Sequence, residues 1–166
     1  DIEPSRGLGD VYKRQDHTQA AMRNNDVEPV FWRLSIKPGR PMAGGIRSGK
    51  PVMCVPGNPV AAFVCYRLAA APVLDRMAGG IARPLLRPRI KCGFDHRKSA
   101  GRAEYLRVKI TTDAAGEPEM HLHGRKGAGV LSSLTGADGL VEIPVENTGV
   151  AVGDYLPFIP FRESGL

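Results

Sequence analysis

Two short motifs in the first half of the sequence combine residue types that bind anions. Residues 37–41 read Lys-Pro-Gly-Arg-Pro, so two cations flank a rigid Pro-Gly turn at the end of a predicted strand. Residues 56–59 read Pro-Gly-Asn-Pro, in which Asn58 suits a helix N-cap and Pro59 the first helical position. A helix N-terminus beside two fixed cations can bind an anion through its N–H groups and its dipole. A capped helix beside a solvated surface turn fits the same residue types, and both interpretations stay open.

Further candidates lie in the second half of the chain. Residues 101–105 read Gly-Arg-Ala-Glu-Tyr, and Arg102 is suited to binding an oxyanion with Glu104 holding its guanidinium. An exposed ion pair at a strand edge is the competing interpretation. His121 and His123 would share one face of a strand, but no third ligand follows at a suitable spacing, which argues against a metal site.

Composition restricts the class of partner. The formal net charge of +6 favours anionic partners. Aromatic residues make up only 6 % of the chain and do not alternate with basic ones, which argues against nucleic acid. The three cysteines are far apart, which argues against a disulfide framework and favours the cytoplasm. The apolar stretch 60–66 ends at Arg67, so it is too short to span a membrane.

The elements that would position the first two motifs can be read from the apolar pattern. Residues 27–37 predict one strand, and 41–55 predict a hairpin around Arg-Ser-Gly-Lys whose second strand is fully buried. A helix is predicted from Asn58 to about Met77, kinked at Pro72 and apolar nearly all round, so it should pack inside a larger body. The predicted strand would place on one face Val30, Trp32, Leu34 and Ile36.

The second half of the chain predicts only short strands. Residues 81–88 form a Pro-rich linker, and Gly, Asp and Asn turns separate the strands after it. This spacing is typical of a small all-β barrel or sandwich. The predicted strands cover residues 87–95, 103–112, 118–123, 139–144 and 150–159.

Three of these motifs taken together carry a family resemblance. IKPGRP, VPGNPVAAFVCYRLAAAPVL and GRAEYLRV closely resemble the molybdopterin molybdenumtransferase family, which includes MoeA and the E domain of gephyrin, and the resemblance covers residues 16–166. It implies a partial α/β domain at 16–80, the C-terminal half of the molybdopterin-binding domain. The linker 81–88 and a small all-β, barrel-like domain at 89–166 would follow, so the chain is expected to be a C-terminal fragment. Residues 1–15 are polar and aperiodic and are interpreted as a non-native-looking or disordered segment.

The resemblance implies Mg2+-dependent insertion of molybdenum from molybdate into adenylylated molybdopterin, with release of AMP. The full-length protein would be a homodimer. A non-catalytic anion- or protein-binding scaffold of the gephyrin E-domain type is the alternative function.

Site residues are carried over by the same resemblance. Asp16 stands at the acidic position of the family's GG-x-S-x-G-x-x-D segment and would hold Mg2+, although residues 5–15 do not reproduce its glycines and serine. Asp16, Lys37 and Arg40 would be catalytic. The substrate-binding residues would be Pro38, Gly39, Pro56, Gly57, Asn58, Pro59, Arg102 and Ser133.

Overall fold

The computed structural model describes residues 17–81, 84–124 and 132–161, with only the backbone of 132 and 133. The described helices and strands are, in chain order, α1 (Thr18–Asn24), β1 (Glu28–Trp32), β2 (Ile36–Lys37), β3 (Ala43–Arg47), β4 (Lys50–Cys54), α2 (Pro59–Cys65), a π-helical turn (Tyr66–Ala70), α3 (Ala71–Met77), β5 (Arg89–Cys92), β6 (His96–Arg97), β7 (Ala103–Thr112), β8 (Pro118–Leu122), α4 (Ser132–Thr135), β9 (Gly139–Ile143), β10 (Gly149–Val150) and β11 (Tyr155–Pro160).

Packing divides these elements into two compact units. Within the described residues, the first unit comprises 17–32 and 43–54, and the second comprises 33–42 with everything described from residue 55 onward. These packing units do not coincide with the predicted boundaries at 81–88. The predicted boundaries concern independently folding domains and stay a prediction.

The first unit contains α1 and an antiparallel sheet in the order β1-β3-β4. The predicted hairpin is confirmed: Arg47 pairs with Lys50, and Ser48 and Gly49 between them have φ values of 48° and 74°. Two positive φ angles in a two-residue loop match the twist of the flanking strands. The expectation of a fully buried second strand is wrong, because β4 lies at the edge of this sheet and is only partly covered.

The single strand predicted over 27–37 is also wrong. Arg33 has φ of 71°, a left-handed conformation that interrupts the regular extended backbone, and the chain there passes from β1 to β2. The two strands belong to different units, and Val30 on the supposed inner face is exposed.

The helix predicted after Asn58 is confirmed at its start. The Asn58 side-chain oxygen accepts hydrogen bonds from the N–H groups of Val60 at 3.1 Å and Ala61 at 3.2 Å. A π-helical turn precedes Pro72, which has no N–H to continue the regular ladder, so the helix is irregular where a kink was predicted. Burial ends with the π-helical turn at Ala70: no residue of α3 is buried, and Leu74 and Met77 are exposed.

The second unit is built around a small β-barrel, as predicted. The strand pairings close into a ring in the order β7-β8-β5-β11-β9 and back to β7, and β2 adds to β7 as a parallel strand. The ring encloses a core that includes Val108, Met120, Val141 and Ile143. The strand predicted over 103–112 coincides with β7.

Helix α2 packs against the same barrel. Val64 lies fully buried in a second core cluster with Tyr105, Leu140 and Ile159. The structure is therefore rich in β-barrel and poor in helix, and the partial α/β domain stays a prediction. Within the described residues, no helix is long and apolar enough to cross a membrane.

Truncation of Val64 tests the packing of the helix on the barrel. We expect Val64→Ala to lower the free energy of unfolding by about 2 kcal/mol, because two methyl groups leave a closed core and a cavity remains. The exposed Val152 offers a matched control, and Val152→Ala should stay within about 0.5 kcal/mol of the wild type. Equal effects in urea titrations of the two variants would contradict this packing.

Candidate functional site

The motif at residues 37–41 forms a closed loop that begins at the last residue of β2. The N–H of Leu34 donates to the carbonyl of Arg40 at 3.0 Å, and the N–H of Met42 donates to the carbonyl of Gly39 at 3.1 Å. The Lys37–Pro38 peptide bond is cis. We refer to these residues as the 37–41 loop. Its backbone bonds fix the chain between its two cations, and the side chains of Lys37 and Arg40 are exposed.

Gly39 anchors the 37–41 loop to helix α2. Its φ is +118°, and a Cβ there would come within 2.7 Å of the Cys65 Sγ and 2.8 Å of Ile36 Cδ1, so a side chain has no room. The Cys65 thiol donates to the Gly39 carbonyl at 3.4 Å. Burial raises the pKa of Cys65 to about 11, which keeps the thiol protonated as a donor at neutral pH.

Strand β2 joins the 37–41 loop to the Gly-Arg-Ala-Glu-Tyr motif. Ile36 lies opposite Ala103 and Lys37 opposite Glu104 in a parallel ladder. The N–H of Ala103 donates to the carbonyl of Ser35 at 2.9 Å. Two motifs far apart in the sequence thus form one site on the barrel.

Glu104 is the electrostatic centre of this site. Its side chain is only 5 % exposed, and its two oxygens contact different partners: Oε1 lies 2.6 Å from Lys37 Nζ, and Oε2 lies 3.2 Å from His96 Nε2. Burial alone would raise the pKa of the Glu104 carboxyl, but the bonds and charges of Lys37 and His96 outweigh it and hold the pKa below its ordinary value. Glu104 is therefore a carboxylate at neutral pH.

The expected partner of Glu104 was different. The sequence predicted that Glu104 holds Arg102, but both carboxylate oxygens are occupied by Lys37 and His96. Arg102 is exposed just before β7. Its assignment to oxyanion binding stays a prediction.

The turn at residues 56–59 offers fewer donors than predicted. The expectation of free N–H groups at the helix start is wrong, because the Asn58 side chain takes those of Val60 and Ala61, and Pro59 has none. Within this turn an anion would have to bind the N–H groups of Gly57 and Asn58. A Cβ on Gly57 would meet nothing within 4 Å, so that position is open to a ligand.

The roles predicted for Asp16 and Ser133 stay predictions. Asp16 lies outside the described residues, and Ser133 lies in α4 with its side chain outside them. Within the described part of the chain, no three His, Cys, Asp or Glu side chains are grouped to hold a metal ion. The binding of Mg2+ stays a prediction. Nε2 of His121 instead lies 3.0 Å from Glu119 Oε2.

Two residues of the site were not singled out from the sequence. His96 lies on the two-residue strand β6, and Cys65 lies within an apolar helix, where it resembles any small core residue. His96 lies outside the motifs, and Cys65 lies within the motif VPGNPVAAFVCYRLAAAPVL without an assigned role. Only the fold brings them to Glu104 and Gly39.

Comparison with known proteins places this geometry in a family. Residues 89–161 match the model described as the MoeA C-terminal region (domain IV). The chain is 34 % identical over 124 residues to the molybdenum cofactor synthesis protein cinnamon of Drosophila melanogaster, covering 70 % of this chain and 19 % of that protein. It is 31 % identical over 138 residues to molybdopterin molybdenumtransferase 2 of Mycobacterium tuberculosis, covering 82 % of this chain and 33 % of that protein.

Solved structures agree with this assignment. The molybdopterin biosynthesis MoeA protein of Pyrococcus horikoshii superposes with a TM-score of 0.68 at 26 % identity, covering 89 % of this chain and 35 % of that one. The barrel is thus a domain of the MoeA C-terminal type. The chain belongs to the molybdopterin molybdenumtransferase family and spans 19 % to 33 % of the length of the Drosophila and Mycobacterium relatives.

Replacing Glu104 tests its ionisation. Because the pKa of Glu104 is lowered on folding, its stabilising contribution is present above the unfolded-state value of about 4.3 and is lost as the pH falls through the lower folded-state value. We expect the free energy of unfolding to fall more steeply between about pH 6 and pH 3 in the wild type than in Glu104→Gln. Urea titrations across this range measure both slopes. The exposed Glu146 gives the control Glu146→Gln, which should keep the wild-type slope. Identical slopes for wild type and Glu104→Gln would disprove the ionised pair.

Proposed function

We propose that this chain is part of an enzyme of molybdenum cofactor biosynthesis, which inserts molybdenum from molybdate into adenylylated molybdopterin and releases AMP. The observation that carries the proposal is the parallel pairing of β2 with β7, which joins the 37–41 loop to the Gly-Arg-Ala-Glu-Tyr strand. The Drosophila relative, named for cofactor synthesis, and the Mycobacterium relative, named for the transferase, support the substrate class.

The 37–41 loop is suited to a small anion. Lys37 and Arg40 flank one fixed turn, so the backbone that carries the two cations loses no further freedom when an anion binds. Lys37 Nζ has three donors, and a bond to Glu104 leaves others for an anion. The Arg40 guanidinium can bind two oxygens of a tetrahedral anion in a fork. In the proposed reaction these cations neutralise molybdate or the pyrophosphate of the adenylylated pterin.

Groups around this loop would complete the site. The N–H groups of Gly57 and Asn58 would donate to the same anion, and Arg102 and Ser133 would bind molybdate from the barrel domain. Mg2+ would depend on Asp16 as its ligand. A homodimer and a cytoplasmic location belong to the same proposal.

Removing either cation of the 37–41 loop tests the site. In a full-length enzyme that carries this chain, we expect Lys37→Ala or Arg40→Ala to lower kcat/KM by about 10- to 150-fold, the cost of one charge-assisted contact. The assay is molybdate-dependent formation of the cofactor from adenylylated molybdopterin.

The hairpin β3–β4 supplies matched controls for these variants. Arg47 and Lys50 are exposed cations that also flank a tight turn, and Arg47→Ala and Lys50→Ala should leave activity within about twofold of the wild type. Wild-type turnover by both Lys37→Ala and Arg40→Ala would refute the site and favour the scaffold alternative.

Exchange of the two cationic residue types tests the geometry. We expect Lys37→Arg to recover only part of the activity lost in Lys37→Ala, because a planar guanidinium cannot take the place of a compact ammonium 2.6 Å from Glu104. Full activity of Lys37→Arg in the same assay would show that charge alone is sufficient at this position.

A further inference from the structure

We propose that Glu104 is the positioning residue for the Lys37 ammonium, and that His96 secures the opposite oxygen of the same carboxylate. This inference rests on the proposed function, because it assigns a role within the same anion site. Glu104 acts here through Lys37 and does not itself contact the anion.

The contacts divide the two carboxylate oxygens between two partners. Oε1 receives Lys37 Nζ at 2.6 Å, and Oε2 receives His96 Nε2 at 3.2 Å. A carboxylate held at both oxygens cannot rotate freely, so the Lys37 ammonium has one preferred position. A lysine otherwise samples many rotamers, and ordering its long stem costs side-chain entropy.

Exposure shows which end of the pair is fixed and which faces solvent. Glu104 is 5 % exposed whereas the Lys37 side chain is 58 % exposed, so the pair extends from the barrel wall to the surface. The carboxylate is the anchor, and the ammonium is the accessible end. This is the arrangement needed to present a cation to a dissolved or bound anion.

The backbone beneath Glu104 is rigid. Residue 104 lies between β2 and β9 in the ladder, opposite Lys37 on one side and Ile143 on the other. Its neighbours Ala103 and Tyr105 are buried in the core cluster that also contains Val64. A supporting residue on a strand inside a closed ladder holds its partner more accurately than one on a loop.

A purely structural ion pair would have the same contacts. The test must therefore separate an effect on the position of the Lys37 ammonium from an effect on the stability of the fold. The full-length enzyme is assayed as Lys37→Ala, Glu104→Gln and the double variant, with molybdate varied. We expect Glu104→Gln to lower kcat/KM by about 10-fold, mainly by raising KM for molybdate. In the Lys37→Ala background the same change should lower kcat/KM by less than about twofold, because Glu104 then has no ammonium to position.

Glu142 provides a matched control. It is another ion-paired carboxylate of the barrel, on β9 opposite Tyr105, but its partner is Arg87. Glu142→Gln should lower stability without changing KM for molybdate by more than about twofold. Should Glu104→Gln fail to fold, Glu104→Asp keeps the charge and withdraws it by one methylene, and it should also raise KM.

The outcomes separate the two proposals. Normal activity of Lys37→Ala would overturn the proposed function together with this inference. Impaired Lys37→Ala with a wild-type KM in Glu104→Gln, or in Glu104→Asp where the former does not fold, would overturn the inference alone. Fully additive losses in the double variant would also overturn it, since Glu104 would then act independently of Lys37.

Discussion

The carboxylate of Glu104 is almost completely buried, so its negative charge must be neutralised by its neighbours. This requirement constrains the residues that pack around it. Its oxygens contact Lys37 and His96, which come from different parts of the chain. Strand β2 is only two residues long, and a slip of one residue would turn Lys37 to the other face and leave the carboxylate without its ammonium. Removing one partner of a buried pair costs about 3–5 kcal/mol, although the exposure of Lys37 reduces the figure here. The ion pair therefore fixes the register that joins the 37–41 loop to the barrel.

Once this register is set, the other contacts of the site depend on it. The loop turns at Gly39, where the close approach of Cys65 excludes any side chain. Helix α2 reaches that position because Val64 is buried in the core cluster shared with the barrel. The helix, the loop and β7 therefore support one another. Their packing holds the exposed cations Lys37 and Arg40 on a fixed turn.

Local patterns account for the elements that the sequence predicted correctly. Alternating residues and turn signals predicted β7 and the β3–β4 hairpin, and an Asn-Pro pair predicted the start of α2. Two mistakes came from non-local causes. Nothing in the apolar alternation of 27–37 announces the left-handed backbone at Arg33, and the burial of β4 depends on which strand lies beside it.

The candidate site divides in the same way: the Lys-Pro-Gly-Arg-Pro motif was visible as an anion-binding pattern, but the partner of Glu104 was not. Arg102 is close to Glu104 in sequence, whereas Lys37 reaches it only through the fold, and His96 and Cys65 join the site through side-chain hydrogen bonds that only the fold creates.

If the 37–41 loop and β7 form one anion site as we propose, molybdate should bind beside the Lys37 ammonium that Glu104 holds. The most direct measurement is anomalous diffraction at the molybdenum edge from crystals of a full-length enzyme grown with molybdate. We expect an anomalous peak within hydrogen-bond reach of Lys37 Nζ or the Arg40 guanidinium, with Lys37 still paired to Glu104. A molybdate peak remote from both cations, or a Lys37 side chain turned away from Glu104, would contradict it.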